Sequence, residues 1–224
     1  MKYHIAFDID LKRNPYSGKY IIVEGIDGSG KTTQVEKLCE YFQKQGKEVV
    51  CTREPRKVGL IGDLIQKVLL GKTKLPPAAF QYLFSTDRVI HHQDVIIPAL
   101  KAGKIVISDR CFWSAVVYGI MDKKEEYTLD DVKHLLVAQS ILSMYHQFIV
   151  PDFNFYLRIS LETSVARILK KKDPKEIYED SEKIKRAVEG YEWVVDYFKK
   201  EFTIIDGEKG VGEVTEEILS HLSS

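Results

Sequence analysis

The sequence predicts an α/β fold, a five-stranded parallel sheet with helices on both faces, and three observations predict it. Short continuous apolar runs recur at strand length, longer amphipathic stretches separate them, and glycines stand where two of those stretches end. Strands buried on both faces of a parallel sheet carry runs of this kind. A strand-helix alternation implies right-handed crossovers.

Residues 1–18 read as an N-terminal extension. Ile5, Phe7, Ile9 and Leu11 alternate with mostly polar or small residues, and Asn14-Pro15-Tyr16-Ser17-Gly18 has turn chemistry, so an extra strand is expected here. The strand that follows belongs inside the sheet, which sends the extension to an edge or against a partner subunit. Residues 19–224 read as a single domain without repeats or linkers. Its strands are expected at 20–24 (YIIVE), 48–52 (EVVCT), 104–108 (KIVIS), 153–159 (FNFYLRI) and 202–205 (FTII). The stretches 31–45, 60–70, 77–101, 129–148, 161–172, 181–200 and 211–222 read as helices. Gly46 and Gly103 fall at C-terminal cap positions just before the next strand.

Composition narrows the function classes. The 224 residues are 44% hydrophobic and 29% charged, as in an ordinary globular chain. Lys plus Arg and Asp plus Glu both total 33, so no net positive field exists to hold a nucleic-acid backbone. Cys39, Cys51 and Cys111 show neither CxxC nor metal-like spacing, which reads as three thiols in a reducing compartment rather than a disulfide scaffold. No run approaches the ~20 apolar residues of a membrane span, and the N-terminus lacks an apolar signal core. A cytosolic location without membrane or nucleic-acid partners is the expectation.

The strongest motif is Gly25-Ile26-Asp27-Gly28-Ser29-Gly30-Lys31-Thr32, a full G-x-x-x-x-G-K-[ST] with Thr33 following. Glycines let the backbone curl so that amide N–H groups point at phosphate oxygens. The helix starting near Lys31 adds the positive end of its dipole. Lys31 is placed to bridge the β- and γ-phosphates, and the Thr32 hydroxyl to ligate Mg²⁺. The context, strand YIIVE before and an amphipathic helix after, fits a P-loop NTPase-type domain that binds a nucleoside triphosphate.

The acceptor is addressed elsewhere. Strand KIVIS ends in Asp109-Arg110 at the carboxyl edge, where open α/β sheets bind ligands. A carboxylate there suits Mg²⁺, and an arginine suits phosphate. Strand EVVCT runs into Arg53-Glu54-Pro55 at the same edge, and Phe84 and Arg88 share a helix face at i, i+4. On spacing alone, Phe84 and Tyr82 are core positions, Arg88 a solvated charge, Tyr118 a core tyrosine and Cys111 a small buried thiol.

Taken together, GIDGSGKTTQ, TREP, LFSTDR, DRCFWSAVVYG and PDFNFYL, in this order from about residue 20 to 191, resemble the thymidylate kinases. The resemblance implies MgATP as co-substrate, dTMP as acceptor and a homodimer. It places Phe84 on the thymine ring with Arg88 hydrogen-bonding the base. Arg53 and Arg110 would hold the acceptor phosphate with Ser114 nearby, Tyr118 would lie against the deoxyribose, and Asp27 would approach the sugar hydroxyl or the metal. Three departures stand out. Gly28 occupies a loop position where some members carry arginine, which shifts the clamping role to a lid at about 167–179. That lid offers Arg167, Lys170, Lys171 and Lys172, and has Ile177 where arginine is frequent. Ala115 stands where a small polar residue often helps select the base.

Two other readings remain at this level. A deoxynucleoside kinase needs a base for a neutral hydroxyl, and Glu54-Pro55 resembles the base position of that family. A non-catalytic nucleotide-binding protein would keep the loop and lose turnover.

Overall fold

The computed structural model describes residues 10–123, 131–145, 148–170, 174 and 176–223. Seven strands lie among them: β1 (Lys12–Arg13), β2 (Lys19–Glu24), β3 (Val49–Arg53), β4 (Ile105–Asp109), β5 (Ile149–Val150), β6 (Phe153–Arg158) and β7 (Thr203–Asp206). Five of these form one sheet in the order β3-β4-β2-β6-β7, every neighbouring pair parallel. The predicted sheet is therefore the observed one. Odd and even residues of the central strand part company, as strand geometry requires. Ile21 and Val23 enter a core beneath α1 (Lys31–Lys44) and α9 (Val211–Leu222). Tyr20 and Ile22 enter a larger core on the opposite face.

Among the described residues, seven further helices flank the sheet; those between residues 97 and 197 fill that larger core, and the two before them carry a smaller apolar cluster of their own. Helix α2 (Gly59–Leu69) packs on α3 (Pro77–His91), and a π-helical turn over His92–Ile96 joins α3 to α4 (Ile97–Lys101). The single helix expected over 77–101 is thus one rod with a widened turn. Pro98 explains the turn, because its ring has no N–H to donate and crowds the carbonyl four residues earlier. Helices α5 (Phe112–Lys123), α6 (Asp131–Tyr145) and α8 (Ser181–Tyr197) pack together, and α7 (Leu161–Leu169) lies on α8. Helix α5 was not expected. Its sequence is apolar on almost every side, with Phe112, Trp113, Val116 and Val117 all buried, so it shows no 3.6-residue alternation. Gly46 and Gly103 take positive φ (73° and 76°) after α1 and α4, as their cap positions demand.

Of the extension, only residues 10–18 are described. Residues 1–9, which hold most of the expected extra strand, lie outside the described residues. Lys12 and Arg13 pair in parallel with Ile149 and Val150, just ahead of β6. The turn after them is built as read: the Tyr16 amide donates to Asn14 Oδ1 at 3.1 Å, and Asn14 Nδ2 donates to Gly18 O at 2.8 Å.

The cysteine expectation is also corrected. Cys39 of α1 and Cys51 of β3 form a disulfide, their Cα atoms 6.3 Å apart, and only Cys111 is free. Packing of α1 across the face of β3 brings together two residues whose spacing of 12 signals nothing in sequence.

In the register of the sheet, Asp109 lies opposite both Val23 and Arg53. Glu24, Arg53-Glu54 and Asp109-Arg110 therefore converge on one carboxyl edge.

Candidate active site

At that edge the loop 25–30 leaves β2 and enters α1. Gly28 sits at φ 81°, and a Cβ there would come within 2.9 Å of Ser164 O on α7. No side chain caps α1, so its first-turn N–H groups are left for a ligand. Lys31 is buried, donates from Nζ to Ile26 O at 2.8 Å and lies 3.9 Å from Asp27 Oδ1. Burial, seconded by the Arg110 charge, lowers the Lys31 pKa from 10.5 to about 8. Thr32 Oγ1 donates to Asp109 Oδ2 at 2.6 Å. Asp109 Oδ1 beside it is buried without a hydrogen-bond partner among the described residues. A hydroxyl and a carboxylate oxygen so placed are the hard oxygen donors that Mg²⁺ takes.

The opposite wall is made of interlocked charges. Arg110 is the one non-glycine residue with positive φ (76°) among the described residues, a costly conformation held by its contacts. Its Nη2 donates to Asp27 Oδ1 at 2.6 Å, and Nη1 to Tyr191 OH at 2.9 Å and Ser114 Oγ at 3.2 Å. Its guanidinium lies 5.5 Å from the centre of the Tyr118 ring. Glu24, 0% exposed, stands behind this arginine and accepts from the Cys111 amide (2.9 Å), Ser114 Oγ (2.7 Å) and Tyr191 OH (2.7 Å).

A second buried network holds Arg88. It is 4% exposed, not the solvated charge that spacing suggests. Its Nε donates to Glu54 Oε2 at 2.5 Å, Nη1 to Tyr145 OH at 2.9 Å and Nη2 to Cys111 O at 3.3 Å. Glu54 Oε1 lies 3.1 Å from His91 Nδ1, whose Nε2 is 2.7 Å from Thr52 Oγ1. Burial works to raise the Glu54 pKa, but the Arg88 charge and the His91 contact outweigh it and hold the carboxyl at about 2. Phe84 is half-buried against Phe80, while Tyr82, expected in the core, is 66% exposed. A guanidinium that is buried, paired and 5.9 Å from the Phe84 ring centre gives this wall a fixed planar donor group.

Both walls face one cleft of about 820 Å³. Of the expected site residues, Asp27 through Thr33, Arg53, Phe84, Arg88, Asp109, Arg110, Ser114, Tyr118 and Arg167 all line it; Gly25 and Ile26 do not. A sequence profile described as thymidylate kinase matches residues 23–218. The chain belongs to the thymidylate kinase family. It is 34% identical over 207 residues to the thymidylate kinase of a Sulfurihydrogenibium species, covering 92% of this chain and 97% of that one. A Thermoanaerobacter thymidylate kinase is 34% identical over 203 residues, covering 90% and 96%. The probable thymidylate kinase of Thermococcus kodakarensis is 33% identical over 209 residues, covering 90% and 95%. Membership makes the chain a phosphotransferase of the nucleoside-monophosphate kinase type.

Within this thymidylate kinase architecture the departures acquire physical reasons. Helix α7 closes on Gly28, and that contact together with the positive φ leaves no place for an arginine in the loop. Arg167 reaches back instead, Nη1 donating to Gly28 O at 3.2 Å and Nη2 to Gly207 O at 3.1 Å. Ile177 is an anchor: its amide donates to Leu69 O at 2.8 Å and its side chain packs on the α2–α3 core. Lys171 and Lys172 lie outside the described residues, and Lys170 is exposed. Sequence reasoning missed Glu24 and Tyr191. The signal for Glu24 was available, since a carboxylate ending a buried strand is the argument applied to Asp109. Tyr191 arrives from α8 with no local mark.

Proposed function

We propose that this chain transfers the γ-phosphate of MgATP to dTMP, giving dTDP, with the triphosphate on the loop of α1 and the monophosphate held by Arg53 and Arg110. The observation that carries the reading is the meeting of the two walls, Arg110 standing 2.6 Å from Asp27 of the loop. Arg53 Nε is buried in the same cleft without a hydrogen-bond partner among the described residues, as expected of a cation that awaits an anion. A monophosphate ester is largely ionised near neutral pH, its second pKa being ~6, so its oxygen attacks without a general base. The work left to the residues is to offset repulsion between two polyanions and to align them. Lys31 and the α1 amides carry the donor side of that task. Thr32 and Asp109 would hold Mg²⁺, which supplies charge neutralisation at the phosphoryl oxygens. Arg167 and the segment up to residue 179 act as the lid that excludes water. Phe84 stacks on the base, Tyr118 lies against the sugar, and Ser114 acts through Arg110.

Glu54 speaks against a deoxynucleoside kinase. It is buried and paired with Arg88 and His91, which hold the pKa of its carboxyl at about 2 and make it a weak base for a hydroxyl proton. A coupled assay offering thymidine and dTMP separately at saturating MgATP tests the choice; turnover of thymidine without dTMP would overturn it. We further place the enzyme as a homodimer, a reading supported by the exposed apolar Tyr82 and Val89 on α3. A cytosolic location rests on the nucleotide substrates, since the disulfide removes its cysteine support. No described helix is long and apolar enough to cross a membrane.

A further inference from the structure

Phe84 and Arg88 do not stand alone on their helix. Gln81 precedes them at the spacing i, i+3, i+7, which puts an amide, a ring and a guanidinium on one stripe of α3. All three line the cleft. Gln81 is 8% exposed, and its Oε1 is buried with no hydrogen-bond partner among the described residues. Buried side-chain amides are nearly always paired, so one left open on a pocket wall points to a ligand. The neighbourhood says which part of the ligand. Gln81 Nε2 lies 3.7 Å from where a Cβ on Gly119 would stand. Gly119 is one turn beyond Ala115 on α5, so the amide sits beside the stretch of α5 where Ala115 brings only a methyl group to the cleft.

We propose that Gln81 reads the base of the acceptor nucleotide, its amide oxygen accepting the N3–H of a pyrimidine stacked on Phe84 and its amide nitrogen donating to the adjacent keto oxygen. The inference rests on the dTMP kinase reading above and names the residue that recognises the imide edge. An amide alone can turn over and match a cytosine edge as well. Arg88 removes that ambiguity, because a guanidinium has donors only and meets a keto oxygen but opposes an amino group. The amide of Gln81 thus takes the place of the polar side chain that Ala115 lacks, from the opposite helix.

The test compares dTMP with N3-methyl-dTMP, which keeps the ring and loses the donor. Wild-type enzyme is expected to favour dTMP by at least about tenfold in kcat/KM, the worth of one or two hydrogen bonds. Gln81→Leu is expected to raise the KM for dTMP about tenfold, to leave the KM for ATP within twofold, and to bring the ratio of the two nucleotides towards one. Gln81→Met, unbranched and close in shape, gives the same readout if the leucine variant does not fold. An unchanged KM for dTMP, or an undiminished ratio in a folded variant, overturns the assignment. If wild-type enzyme turns over no dTMP at all, it is the broader kinase reading that has failed, and the two failures are distinguishable.

Discussion

The two walls of the cleft are built in opposite ways. The wall proposed for the phosphate donor is one contiguous run, residues 25–33, and offers main-chain amides and a single lysine. The acceptor wall is assembled from the ends of β3 and β4 and from α3, α5 and α8, and works through side chains that hold one another. The difference teaches where function and stability separate. A side chain removed from the donor wall alters the chemistry and spares the fold, whereas a charge removed from the acceptor wall leaves its partner buried and alone.

The largest effect expected is on stability. Glu54→Gln strips the carboxylate from Arg88 and is expected to lower the free energy of unfolding by about 3–5 kcal/mol, read by denaturant titration. A loss below ~1 kcal/mol would show that Tyr145 and the Cys111 carbonyl suffice for Arg88 and would erase the contrast between the walls. On the donor side, Lys31→Ala is expected to cut kcat by roughly 10²–10³-fold while the variant stays folded, without the loss of unfolding free energy expected of Glu54→Gln. A variant that keeps most of its kcat would remove the lysine from transfer. Next comes the bond that ties the walls together from behind. Opening Cys39–Cys51, by Cys51→Ser, is expected to cost about 3 kcal/mol of stability on the loop-closure argument for a crosslink of this span. Identical melting of wild type and variant, before and after reduction, would show no contribution.

The smallest effect is a pH dependence with opposite signs for folding and for activity. The folded pKa of Lys31, about 8, lies below its ordinary 10.5. Between those values the unfolded chain binds more protons, so this group's contribution to stability rises with pH across the window and is lost as pH falls to about 8. Activity runs the other way: kcat/KM for ATP is expected to decline above pH about 8 as the loop cation discharges. Lys31→Met should flatten the stability slope between pH 8 and 10, and an equal slope in both proteins would assign the titration to another group.

Much of the fold was legible because each strand is a short apolar run closed by a charge, and because α9 carries clean helical periodicity over residues 211–222. The glycine loop was legible for a related reason: its chemistry is local. Helix α5 was not, since burial on all sides erases the alternation that marks a helix. Tyr191 and Tyr145 meet the site only after the chain has crossed the sheet, and no spacing encodes that meeting, whereas Glu24 carries the same strand-end signal as Asp109. Arg88 shows the limit most clearly. Its i, i+4 partnership with Phe84 could be counted along the helix, but the burial that makes it a rigid donor depends on Glu54, 34 residues earlier in the chain. Cys39 and Cys51 belong with it, joined by the packing of α1 on β3.

One contact ties the compartments to each other. Asp27 comes from the run proposed to grip the triphosphate and Arg110 from the strand end proposed to face the monophosphate, and they meet at 2.6 Å in the cleft. A nucleotide arriving on either side competes for a charge that the other side also uses, so occupancy in one half must alter affinity in the other by the same factor in both directions. Calorimetric titration of dTMP with and without a non-hydrolysable ATP analogue reads that factor. Equal dissociation constants in the two titrations would reduce the Asp27–Arg110 pair to inert scaffolding.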